Sequence, residues 1–156
     1  MPSEIERKYL VRKEAWQPSA PGVLLRQGYL SSAPERSVRM RIAGDEAFLT
    51  VKGAQSGVTR LEFEYPIPVE DAATMLRRLC EQPLIEKTRY REEFAGHHWE
   101  IDEFHGDNSG LVIAEIELAS ETEPFALPPW AASEVSHDPR YLNANLWLNP
   151  YKNWKP

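Results

Sequence analysis

Residues 3–11 read SEIERKYLV, and this stretch decides the fold. Glu4, Glu6 and Lys8 fall on alternate positions, with Ile5 and Tyr9 between and after them. Because successive side chains of a β-strand point to opposite faces, the stretch is predicted to be a strand with two carboxylates and an ammonium on one face and apolar side chains on the other. Such a charged face indicates either an exposed sheet surface or a wall that binds ions.

The same alternation continues along most of the chain, between turn sequences such as AGDE at 43–46, GAQSG at 53–57 and AGHH at 95–98. The predicted strands are 3–11, 23–31, 36–43, 46–53, 59–67, 84–95, 98–105 and 111–119. A helix is predicted at 69–81, a weaker one at 131–136, and a loop at 125–130. The tail after residue 138 is predicted to form a short covering helix that ends before Pro150.

Charge is grouped by strand. The first, fifth, seventh and eighth predicted strands carry mainly acid on one face, at Glu4, Glu6, Glu62, Glu64, Glu100, Asp102, Glu115 and Glu117. The third, fourth and sixth carry base, at Arg39, Arg41, Lys52, Lys87, Arg89 and Arg91. Carboxylates repeated at alternate positions repel one another, and their repetition indicates a cation between them.

Two architectures fit this pattern. In a sandwich, the charged faces would simply be exposed to solvent. In an eight-stranded closed β-barrel of the α+β class, mainly antiparallel, the charged faces would line a wet tunnel and the apolar faces would be covered from outside. Clustered carboxylates suit Mg²⁺ or Mn²⁺, and arginine and lysine on rigid strands suit phosphate oxygens, so such a tunnel would hold a metal-bound oligophosphate.

Composition excludes several partners. The formal charge is -6 and neither half of the chain has a basic block, so nucleic acid and anionic membranes are not expected partners. The first twenty residues are charged where a secretory signal would be apolar, and the cytoplasm is the expected location. The 156 residues are expected to form one domain, and the single Cys80 is expected to pack as a small apolar residue.

The ordered motifs resemble a known family. EIERK at 4–8 is similar to the Glu-x-Glu-x-Lys signature of the CYTH superfamily, the triphosphate tunnel metalloenzymes. RMR, LTVKG, EFE, EKTRYR, WEIDEF and AEIEL follow in the family's order, and the tail DPRYLNANL resembles family C-termini. The resemblance spans nearly the whole chain and is greatest to the bacterial inorganic triphosphatases.

The resemblance implies a site for a triphosphate and a divalent metal. The implied metal ligands are Glu4, Glu6 and Glu117, with Glu62, Glu64, Asp102 and Glu115 as supporting or second-metal carboxylates. The implied phosphate-binding residues are Lys8, Arg39, Arg41, Lys52, Lys87 and Arg89, and Gln27 and Tyr29 are further candidates for the inner face. Arg60, Arg91 and Glu100 are left out because internal salt bridges explain them equally well.

The family resemblance leaves the reaction open, because its members include inorganic, thiamine and RNA triphosphatases as well as class IV adenylyl cyclases. The leading hypothesis is metal-dependent hydrolysis of tripolyphosphate, in which Glu4 and Glu6 hold the metal that activates water and Lys8 and Lys52 stabilise charge or assist proton transfer. A cyclase, a thiamine or nucleoside triphosphatase and a non-catalytic polyphosphate-binding module are the alternatives. A homodimer through exposed edges or the tryptophan-rich tail is a further expectation, and a lid over the barrel explains that tail equally well.

Overall fold

The computed structural model describes residues 2–154, which form a largely antiparallel β-structure. The strands are β1 Ser3–Val11, β2 Val23–Ala33, β3 Arg36–Ala43, β4 Glu46–Gly53, β5 Thr59–Pro66, β6 Ile85–Phe94, β7 His97–Phe104, β8 Val112–Glu117 and β9 Ala131–Glu134. Hydrogen bonds join the first eight into a closed ring in the order β1–β5–β4–β3–β2–β6–β7–β8. The predicted eight-stranded antiparallel barrel is confirmed, and β9 lies outside the ring.

Strand β1 closes the ring because its two ends pair with different strands. Its first residues pair with β5, with Ser3 opposite Leu61 and Ile5 opposite Thr59. From Glu6 onward it pairs with β8. β1 therefore pairs with a neighbouring strand on each side, and its charged face, with Glu4, Glu6 and Lys8, points into the ring.

Helix α1, Val69–Arg78, covers the outer face of β3 and β4. It begins directly after Pro68, as predicted, and it buries Ala72 and Leu76, of which Leu76 clusters with Met40 and Cys80. Burial raises the pKa of the Cys80 thiol to about 11, which suits the expected apolar role. Gly28 of β2 lies beneath this layer, and a larger residue would clash there, because a Cβ would lie 2.7 Å from Leu84 Cδ2.

A second outer layer covers β1, β7 and β8. Trp99 and Ile101 are fully buried there, and Trp130 packs edge-on against Trp99 at 5.4 Å between ring centroids. The predicted helix at 131–136 is wrong, because Ala131–Glu134 is strand β9 and pairs with β1. Backbone hydrogen bonds to β1 override the helical preference of the local alanine and glutamate residues.

The C-terminal tail closes one end of the ring. Helix α2, Asn143–Leu146, ends before Pro150 as predicted, and short 3₁₀ turns flank it at Pro139–Tyr141 and Tyr151–Asn153. The tail packs against an apolar cluster that includes inward-facing residues at one end of the strands. The cluster contains Leu10, Tyr29, Ile85, Phe104, Ile113, Tyr141 and Leu146. The tail therefore acts as a plug at the end of the barrel.

The covering of the apolar faces is less complete than predicted. On β5, Leu61 and Tyr65 remain 38% and 55% exposed, so this strand's apolar side is largely uncovered. Neither helix in residues 2–154 has the length and apolar composition needed to cross a lipid bilayer.

Candidate active site

The order of strands around the ring divides the lumen into an acidic and a basic half. Strands β7, β8, β1 and β5 are consecutive and supply most of the carboxylates that line the cavity, whereas β4, β3, β2 and β6 are consecutive and supply most of the inward cations; Glu46, at the start of β4, is an acidic exception. Lys8 on β1 and Arg60 on β5 are the cations on the acidic side. Both halves face one cavity of about 590 Å³. Most strands carry charge of one sign on the inner face, and the fold places strands of the same sign next to one another in the ring.

Carboxylates crowd together in the acidic half. Glu6 lies opposite Glu117 in the β1–β8 register, and Lys8 lies opposite Glu115. Burial raises the pKa of Glu115, and the charge of Glu6 adds to the rise. Burial likewise raises the pKa of Glu117, with Glu4 and Glu6 as further causes. Burial disfavours the charged form of these carboxyls, and their close placement across β1 and β8 adds repulsion that a cation would relieve.

Glu4 is shared between the two halves. Burial raises its pKa against the opposing charge of Lys52, whose ammonium lies within hydrogen-bond distance of the Glu4 carboxylate. Lys52 also lies 3.4 Å from Glu62. Although burial alone would lower the pKa of Lys52, Glu6 and Glu4 raise it. The Lys52 ammonium therefore stays charged at neutral pH.

The acidic half has the donor chemistry of a divalent-metal site. Glutamate oxygens from β1, β5 and β8 face one cavity, and such oxygens are the ligands that Mg²⁺ and Mn²⁺ prefer. Among residues 2–154 no three acidic, histidine or cysteine side chains are already gathered as a metal-binding group. The chemistry of the donor set nevertheless fits a divalent cation.

Arginine and lysine side chains in the basic half are held by polar neighbours. Arg39 donates to Thr50 at 3.2 Å, and Thr50 donates to Glu64 at 2.8 Å. Arg41 donates through Nε to Gln27 at 2.9 Å. Burial, together with Arg39 and Arg89, lowers the pKa of Arg41 to about 9. Neighbouring cations that lower the pKa of Arg41 indicate a place where an anion would be stabilised.

Asp102 lies apart from the other predicted carboxylates. It is 1% exposed, accepts two hydrogen bonds from Arg89 at 2.8 and 2.9 Å, and lies 2.8 Å from Lys87 Nζ. Although burial would raise its pKa, Lys87 and Arg89 hold the pKa well below its usual range. Asp102 is thus placed as the counter-ion of two cations, which differs from the metal-ligand role implied by the resemblance.

Every other predicted site residue lines the cavity. These residues are Glu4, Glu6, Lys8, Arg39, Arg41, Lys52, Glu62, Glu64, Lys87, Arg89, Glu115 and Glu117. Tyr29 also borders it while packing into the apolar plug, and Gln27 is fully buried behind Arg41.

The structure adds residues that were left out of the predicted site. Arg60, Arg91 and Glu100 share the lining, and their place on the same strand face as the predicted residues was a usable signal. Thr50 and Asn143 also line it. Thr50 lies on the same strand face as Lys52, so the alternation placed it there, although its uncharged side chain did not mark it as a site residue. Asn143 carried no such signal, because its position depends on how the tail packs.

Comparisons with known proteins agree with this geometry. Residues 2–145 match the model of the CYTH domain family. The chain is 54% identical over 155 residues to an inorganic triphosphatase of Acetivibrio thermocellus, covering 99% of both chains. It is 39% identical to an inorganic triphosphatase of Nitrosomonas europaea, covering 94% of this chain and 98% of that one. The crystal structure of the inorganic triphosphatase NE1496 superposes with a TM-score of 0.66 at 39% identity, covering 95% and 96% of the two chains.

Proposed function

The chain belongs to the CYTH domain family, and from that premise we propose that it is a triphosphatase that hydrolyses inorganic tripolyphosphate to pyrophosphate and phosphate. The observation that carries the proposal is the division of one lumen into an acidic and a basic half. A metal-bound triphosphate needs both halves at once, because its oxygens require cations and its metal requires carboxylates. An anion-binding module would need only the basic half.

The basic half is suited to hold the phosphate chain. Arg39 and Arg41 present guanidinium groups that fork onto two oxygens, while Lys52 and Lys87 provide compact charges. Their distribution over β3, β4 and β6 surrounds a chain from several sides and holds it in a defined line. This fixed arrangement stabilises the negative charge that spreads over the transferred phosphoryl oxygens.

Glu4, Glu6 and Glu117 are proposed to hold Mg²⁺ or Mn²⁺, with Glu62, Glu64 and Glu115 supporting it. When bound, the metal neutralises phosphate oxygens and activates water for attack on phosphorus. Lys8 lies 3.9 Å from Glu6 and 4.0 Å from Glu115, so its ammonium stands among the proposed metal ligands and faces the same cavity. In this position Lys8 stabilises developing negative charge, and its neighbouring carboxylates keep it oriented.

One assay tests the proposal against its rivals. The protein is incubated with tripolyphosphate, ATP and thiamine triphosphate, each with Mg²⁺, with Mn²⁺ and with EDTA, and phosphate, pyrophosphate and cyclic AMP are measured. Equal amounts of phosphate and pyrophosphate from tripolyphosphate, lost with EDTA, are expected. Cyclic AMP from ATP would refute hydrolysis as the function. Absence of product from all three substrates would leave a binding module.

A further inference from the structure

Asn143 reaches from the C-terminal tail to the phosphate side of the cavity. It is the first residue of α2 and borders the cavity. Its carbonyl oxygen accepts two hydrogen bonds, from Gln27 Nε2 at 2.9 Å and from Lys87 Nζ at 2.8 Å. A single side chain from outside the ring therefore contacts both β2 and β6.

The neighbouring donors fix the orientation of this amide. The Arg41 guanidinium can only donate, so Gln27 must turn its oxygen to Arg41 and its nitrogen to Asn143. The Lys87 ammonium likewise can only donate. Both partners thus require the carbonyl oxygen of Asn143 at the same point, and an asparagine placed the other way round would satisfy neither.

Asn143 belongs to a continuous polar network that joins three of the cations lining the cavity. The network runs from Arg41 through Gln27 and Asn143 to Lys87, and from Lys87 through Asp102 to Arg89. Gln27 is completely buried, with 0% of its surface exposed to solvent, and Lys87 is 1% exposed. In such a dry setting a missing acceptor is costly, because water does not readily replace it.

The tail holds Asn143 firmly in this place. The carbonyl oxygen of Leu142 accepts from the backbone nitrogens of Asn145 and Leu146, at 2.9 and 3.2 Å. Leu146 is fully buried in the apolar plug, and Tyr141 is 8% exposed. Packing of the plug therefore sets the position of the Asn143 side chain.

We propose that Asn143 is a positioning residue of the triphosphate site, which fixes the Lys87 ammonium directly and the Arg41 guanidinium through Gln27. This inference rests on the proposed function, because the ligand that needs those cations in place is the phosphate chain. Side chains that are already ordered bind an anion without a further entropic cost at the moment of binding. Through Asn143, the C-terminal tail contributes to the site in addition to closing one end of the barrel.

The test uses Asn143→Ala, Asn143→Asp and, as the control in the same tail, the exposed Asn149→Ala. Calorimetry with sodium tripolyphosphate in EDTA measures binding without metal, and kcat and KM are measured with Mg²⁺. Asn143→Ala is expected to weaken binding about tenfold through the lost hydrogen bonds to Lys87 and Gln27. Asn143→Asp keeps an acceptor oxygen for Gln27 and Lys87 but adds a negative charge beside the phosphate, so a loss of about tenfold through charge repulsion is expected. Asn149→Ala is expected to match the wild type.

Melting temperatures separate positioning from a merely structural role. Asn143→Asp is isosteric and is expected to keep the fold even where Asn143→Ala does not. A folded Asn143→Ala protein with the affinity and KM of the wild type would overturn the inference. A folded Asn143→Asp protein with wild-type affinity would overturn it too, because the added charge would then lie too far from the phosphate chain for residue 143 to fix the cations that bind it. If the wild type itself neither binds nor hydrolyses tripolyphosphate, the proposed function fails; if it does both and the Asn143 variants do so equally, only the positioning role fails.

Discussion

Lys87 Nζ and the Asp102 carboxylate lie 2.8 Å apart, and both side chains are 1% exposed. Burial lowers the pKa of Lys87, and the negative charge of Asp102 opposes this. Arg89 shares the same carboxylate. Two cations thus share one buried counter-ion, and both line the cavity, where a phosphate chain would meet them.

Removal of this counter-ion is expected to destabilise the protein. Asp102→Asn leaves Lys87 buried without its negative partner and leaves Arg89 with only the half-buried Glu100 at 3.3 Å, and the free energy of unfolding in urea, measured in EDTA, is expected to fall by about 3 kcal/mol. The control is Glu100→Gln on the same strand, which is 35% exposed in its side chain and is expected to cost under about 1 kcal/mol. If Asp102 instead held the metal, Asp102→Asn would leave the metal-free protein as stable as the wild type and would weaken metal binding.

Arg39→Ala is expected to act mainly on substrate binding. Arg39 is 8% exposed, and Thr50 holds it beside the cavity, so its loss removes a charge-assisted contact with phosphate. KM for tripolyphosphate is expected to rise by about tenfold to a hundredfold, with a smaller change in kcat. Arg26→Ala is the matched control, because Arg26 lies on the face of β2 that points away from the cavity and contacts Glu86 at 3.8 Å. An unchanged KM for Arg39→Ala would remove Arg39 from the phosphate site.

Metal binding is expected to release protons. The pKa values of Glu4, Glu115 and Glu117 are raised, chiefly by burial, so these carboxyls hold protons to a higher pH than they do in the unfolded chain. Protonation of a carboxyl whose pKa is raised in the folded state favours folding. The contribution of these three carboxyls to the stability of the metal-free protein therefore increases as the pH falls through their folded-state pKa values, and it is lost as the pH rises. A divalent cation binds the ionised form of these carboxyls, so its binding favours their deprotonation and releases protons.

The rise in melting temperature caused by Mg²⁺ is therefore expected to be larger at about pH 8 than at about pH 5. Calorimetry in buffers of different ionisation enthalpy gives the number of protons released. Equal stabilisation at both pH values, with no proton release, would show that these carboxyls do not bind the metal.

The sequence predicts the charged lumen because a period of two is a local property. Glu4, Glu6 and Lys8 share a face whichever strands become their neighbours, and the same holds for Arg39 and Arg41. The division of the lumen into halves depends on strand order, which alternation does not contain. The place of Asp102 beneath Arg89 and the arrival of Asn143 from the tail likewise depend on tertiary packing. Strand β9 was missed because its pairing with β1 outweighs its local composition.

Glu6→Gln is the most direct test of the acidic half. Glu6 lies opposite Glu117 and near Lys8, and the glutamine keeps its size while removing one negative charge. Activity is expected to fall by about a hundredfold or more, and Mg²⁺ is expected to stabilise the variant less than the wild type, because a ligand is lost. Since one like-charge repulsion disappears, the metal-free variant is expected to be at least as stable as the wild type. Glu35→Gln, in the exposed β2–β3 turn, controls for the loss of a charge elsewhere. Activity of Glu6→Gln close to that of the wild type would show that Glu6 is not a metal ligand.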